Sequence, residues 1–158
     1  MKRLHELLAL RGVLHVYDGK VTIDLHLSGR IKPTLILCNL IPDVGRAYIL
    51  GNGNSFSDIS QVALGDNGTA KTRADTQLNN ERFRAGPTDW RVVGLQRFTE
   101  FFVGINDANF THREFGLFAG TNIGGANEGT PLSLLVITPE WEKTEALTRT
   151  YIHVFDFS

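Results

Sequence analysis

Arg113-Glu114-Phe115-Gly116-Leu117-Phe118 sets two opposite charges directly before three large apolar residues spaced around one glycine. In a strand, alternation puts Glu114, Gly116 and Phe118 on one face and Arg113, Phe115 and Leu117 on the other. Each face then carries one charge and at least one apolar group. Such a strand is covered on both sides and needs a fixed partner for each ionised group, because an unpaired charge taken out of water costs several kcal/mol. The segment reads as a central strand. Arg113 and Glu114 are expected to pair with a loop backbone or a strand charge, and Phe115, Leu117 and Phe118 to enter the core.

Strand candidates flank this segment on both sides, bounded by turn chemistry: Asp58 to Leu64, Trp90 to Leu95, Arg97 to Ile105, Leu132 to Thr138 and Leu147 to Phe157. Polar loops over 106–111 and 120–130 separate the later ones. An apolar run from Leu35 to Ile41 leads into Pro42-Asp43, which predicts a short helix through Leu50 with Asp43 as its N-cap and Gly51 at its end. A short helical turn is expected over Asp75 to Asn80. The 16 glycines and ten phenylalanines, with few Ala-, Glu- or Lys-rich stretches, agree with a chain built of strands and turns.

The first part of the chain has its own pattern. Leu4, Leu7, Leu8 and Arg11 have helical spacing and suggest an arm. Val13 to Tyr17 and Val21 to Leu27 flank Asp18-Gly19, a hairpin signal, and the second segment alternates Val21, Ile23, Leu25 and Leu27 against Thr22, Asp24 and His26. The expected architecture is mainly β: an antiparallel sandwich or open barrel with one or two short helices. Residues 1–32 form an N-terminal arm and β-hairpin, and 33–158 the core domain.

At 158 residues the chain suits one domain with a sizeable core. Sixteen Lys and Arg against 17 Asp and Glu create no field that would collect nucleic acid or an acidic membrane. His5, Glu6 and Arg11 interrupt the only leader-like stretch, so no signal peptide is expected, and no apolar run is long enough to span a bilayer. The single cysteine, Cys38, lies in an apolar run and is expected to act as a small buried hydrophobe.

Several chemistries can be weighed on spacing. Gly65 to Thr72 ends in Lys71-Thr72 like a phosphate-binding loop, but its second required glycine is Ala70, which leaves nucleotide binding a remote alternative. The five histidines lack the close pairing of a metal site. His15 and His26, with Asp24, could be cross-strand neighbours, and a partner-facing polar side is the better reading. No nucleophile elbow, zinc-protease helix, paired-cysteine motif or dinucleotide fingerprint is present. The expectation is a non-enzyme with no catalytic residue, cofactor or metal. Candidate interface residues are Leu4, Leu7, Leu8, His15, Tyr17, Asp24 and His26.

Three segments together resemble structural proteins of tailed-phage virions: Asn39-Leu40-Ile41-Pro42-Asp43-Val44-Gly45-Arg46; Ala63-Leu64-Gly65 with a Gly/Thr/Ala-rich loop and Asp75-Thr76-Gln77-Leu78; and Arg113 to Phe118. The similarity covers roughly 39–150. It implies a β-rich virion component, most simply a head decoration (cement) protein whose trimers sit on the capsid exterior and bind the major capsid protein. A tail-fibre, collar or baseplate subunit is the alternative. The resemblance further implies synthesis in the host cytoplasm and partners that are protein subunits, while the balanced charge and the lack of a long apolar run argue against nucleic acid and membrane.

Overall fold

The computed structural model describes residues 10–51, 59–121 and 123–156. The strands are β1 (Arg11–Asp18), β2 (Leu35–Cys38), β3 (Ile59–Gly65), β4 (Glu81–Ala85), β5 (Asp89–Val93), β6 (Gln96–Val103), β7 (Thr111–Ala119), β8 (Thr130–Glu142) and β9 (Arg149–Asp156). Two short helices, α1 (Ile23–Ser28) and α2 (Asp43–Gly51), complete the described elements. One sheet has five strands in the order β2-β1-β9-β6-β5 and the other four in the order β4-β3-β7-β8. All neighbours are antiparallel.

Alternation accounts for the way the sheets face each other. Leu14, Val16, Phe101, Tyr151 and Phe155 from the five-stranded sheet join Val62, Leu64, Phe115, Leu117 and Leu135 from the other in a single buried cluster. The architecture is therefore an antiparallel sandwich and not a barrel. β7 lies between β3 and β8, so the segment from Arg113 to Phe118 is a central strand.

The predicted hairpin is not formed. Both edges of β1 are taken, by β2 and by β9 along its whole length, which leaves no edge for 21–27 to pair with. Those residues instead enter α1, where Thr22 Oγ1 caps the Leu25 amide at 3.3 Å and Gly29 closes the C-terminus at φ 67°. Val21 and Ile23 pack against Tyr17, Phe98, Ile152 and Val154 on the outer face of the five-stranded sheet. The boundary at residue 32 dissolves for the same reason, since β1 is an interior strand of the main sheet. The helical arm with Leu4, Leu7 and Leu8 lies outside the described residues.

Other expectations shift as well. Glu81–Ala85 is a strand that no alternation announced, because its charged residues are paired and its apolar ones only half-buried. Residues 75–80 follow a turn at 73–74 as an irregular, bent stretch and not a helix; Asp75 Oδ2 accepts from the Thr72 amide at 2.7 Å. Asp43 is the first residue of α2 and not its cap, though its carboxylate still lies in the positive first turn. Cys38 is exposed, because on edge strand β2 it shares with Ile36 the face that nothing covers.

Candidate functional site

Glu114 is fully buried on the outer face of the four-stranded sheet. Its carboxylate pairs with Lys71 Nζ and accepts from the backbone amides of Asn79 at 2.6 Å, Asn80 at 3.0 Å and Asn67 at 3.4 Å. The Lys71 side chain is only 3% exposed, so the pair is withdrawn from water and its lone pairs are taken up by donors. Gly65 stands opposite Glu114 in the register, and a Cβ there would lie 2.2 Å from Glu114 Oε2 and 2.4 Å from the Asn80 carbonyl oxygen. Only glycine leaves room for the carboxylate. Loop 66–80 is thereby wrapped around one buried charge, and Leu78 is pressed into a cluster with Ala63, Phe118 and Leu134.

The P-loop-like segment thus has a different use. Lys71 is committed to Glu114, and turns, not a helix, follow Thr72. The nucleotide reading loses both the cation and the helix N-terminus that it requires.

A second buried ion pair holds the other long loop. Arg84 meets Glu81 in a two-pronged pair at 2.6 and 2.8 Å, stacks over Phe118 at 4.3 Å and donates to the carbonyls of Ile123 and Glu128. Glu81 also accepts from the Asn127 amide at 3.1 Å. Both faces of the central strand are therefore covered, one by the opposing sheet and the other by two pinned loops.

The remaining β7 residues have separate settings. Arg113 reaches a partly exposed pair with Glu140 at 2.6 Å, so the two charges of the segment differ sharply: one is solvated and the other is sealed. Phe115, Leu117 and Phe118 are all core. At Gly116 a Cβ would lie 2.7 Å from the Phe118 ring and 3.2 Å from Leu134. Asp43 lies 3.5 Å from Arg73, and its backbone amide donates to the Arg73 carbonyl at 2.8 Å.

His15 and His26 do come together, with ring centroids 4.6 Å apart, but His26 approaches from a helix and not from a paired strand. Tyr17, 2% exposed, hydrogen-bonds His26 Nδ1 at 2.6 Å, and Phe98 packs on the same imidazole. Burial lowers the His15 pKa to about 4, with the neighbouring His26 adding to the effect, and burial also lowers that of His26. Asp24 turns outward to Arg91, whose hydrogen bond and charge hold its carboxyl below the usual range. The cluster fastens α1 to the sheet. Among the described residues no group of three metal-ligating side chains is assembled.

Sequence reasoning missed two further buried networks. His112 Nε2 lies 2.8 Å from the Ala108 carbonyl, which can only accept; that ring nitrogen carries the proton, and Nδ1 accepts from the Tyr151 hydroxyl at 2.5 Å. Arg149, 1% exposed, stacks on Trp141 at 4.1 Å beside this pair. Asn39 donates to Ser133 at 2.6 Å and to His153 Nε2 at 3.0 Å, tying the loop after β2 to both sheets. No spacing rule links such residues, since Ser133 and His153 lie 94 and 114 positions from Asn39, and Tyr151 lies 39 from His112. Desolvation drives His112 down to about 4 and His153 to about 3.

Comparison of the chain with protein-family models, with curated proteins and with solved structures finds no match.

Proposed function

We propose that the chain is a structural subunit of a tailed-phage virion, a decoration protein that oligomerises on the head lattice and stabilises it by contacts bridging neighbouring subunits. One observation carries the reading: the three segments that resemble virion proteins form one continuous body. Glu114 of the third segment occupies the space left by Gly65 of the second and binds the loop leading to Leu78. Arg73 in that loop meets Asp43 of the first, and Leu40 exchanges backbone hydrogen bonds with Leu134 at 2.9 Å, beside Leu78 and Phe118. Their convergence on one buried scaffold supports reading them as a structural signature. A cement acts through buried area, roughly 25 kcal/mol per 1,000 Å² of apolar surface before association costs.

Gold-labelled antibody against the chain should decorate particle heads. Purified protein added to particles lacking it should raise their disruption temperature. Label confined to tails would support the tail-subunit alternative, and label on neither would remove the chain from the virion altogether.

A further inference from the structure

We propose that the open edge of β5 is a self-complementary docking surface on which a second copy of this chain seats its own β5, extending the five-stranded sheet across a two-fold axis. This deepens the reading of the chain as an assembling subunit, and rests on it, by naming one contact between copies. β5 pairs with β6 on one side and, among the described residues, has no strand on the other. Within six residues of this edge Trp90 is 53% exposed, Val92 58%, Val93 45% and Leu95 64%.

The other sheet edges are shorter, more heavily charged or covered. β2 is only four residues long and follows Pro33, β4 carries Glu81, Arg82 and Arg84, and β8 is met by Leu40 and continues into Pro139, Glu140 and Glu142. β5 contains no lysine, proline or bulge, and the Trp90 amide donates to Asp89 Oδ1 at 2.8 Å, a local bond that a pairing strand's carbonyl would replace.

Charge selects the occupant and the register. When two copies of Asp89-Trp90-Arg91 run antiparallel about an axis at Trp90, each Asp89 stands opposite the other copy's Arg91 and the two indoles face each other. An axis at Arg91 would instead oppose two guanidinium groups. Arg91 holds Asp24 through one nitrogen, and a guanidinium carries further N–H donors with which to take a second carboxylate. Each charge thus gains an opposite charge across the axis in addition to its partner within the subunit, and the same strand of a second copy supplies both.

Sedimentation equilibrium tests the contact. Val92→Lys places a charge on the edge and should halve the mass of the assembled species without altering the melting curve. Asp89→Arg gives that copy two arginines and Arg91→Asp gives its copy two aspartates, so each variant alone should lose the contact. Mixed in equal amounts they become complementary, and the mass should return to that of the wild type. A wild-type chain that is monomeric at high micromolar concentration, unchanged mass in Val92→Lys, or no recovery in the mixture would each overturn the proposal. None of these outcomes bears on where labelled protein lies on the virion, so the two readings fail separately.

Discussion

Glu114 is sealed beneath a loop that its own carboxylate organises, and its loss should act on folding first. Glu114→Gln keeps the shape and leaves the Lys71 cation buried without a counter-charge, which should cost about 3–5 kcal/mol in urea unfolding. Adding Lys71→Met removes that stranded charge, so the double variant should be more stable than the sum of the two single losses predicts. Additive losses would show that the pair does not act as a unit. The need for a counter-charge at Glu114 was legible from alternation alone. Its identity was not, because Lys71 sits 43 positions upstream in a loop that resembled something else.

The histidines make a second test at this scale. His15 and His112, lowered to about 4, and His153, lowered to about 3, stay neutral in the fold while an unfolded chain protonates them near 6.5. The folded state then binds fewer protons below that value. Stability should be unaffected by these groups above pH 7 and fall progressively as pH drops from about 6.5 toward 4, by ~1–3 kcal/mol for each fully buried ring. Imidazole NMR signals of His112 and His153 that titrate near 6.5 in the folded protein would refute this.

At the scale of elements, α1 shows how position overrides pattern. Val21 to Leu27 alternates as cleanly as any strand in the chain, yet β1 has no free edge, and Thr22 and Gly29 provide helix caps. Thr22→Ala should therefore weaken α1 by ~1 kcal/mol, seen as faster amide exchange over 23–28 before any global unfolding. α2 depends on a glycine in its first turn: a Cβ at residue 45 would stand 2.4 Å from the Pro131 carbonyl and 3.1 Å from Leu132 Cα. Backbone cannot step aside as a side chain can, so Gly45→Ala should lower stability by about 1–3 kcal/mol or more. An unchanged melting temperature would mean that α2 does not rest on β8 as described. Helix α2, by contrast, was legible in sequence because Pro42-Asp43 and Gly51 punctuate it. β4 was not, because its apolar signal is weak and its charged residues are buried as an ion pair between its own Glu81 and Arg84.

For the whole molecule, the placement of β1 decides what can be removed. It joins β2 to β9, and its Leu14 and Val16 are completely buried in the core shared by both sheets. A chain starting at residue 33 should lack cooperative thermal unfolding, whereas an accessory arm could be deleted with the melt intact. Alternation, glycine and proline punctuation and the count of apolar residues were enough to determine a two-faced, strand-built protein with β7 at its centre, because these signals act over a few residues. Which strands became neighbours, that 21–27 turned into a helix, and that Lys71 and Arg84 went to buried carboxylates were decided only in three dimensions. Edge vacancy and charge compensation are properties of assembled sheets, and no local stretch of sequence contains them.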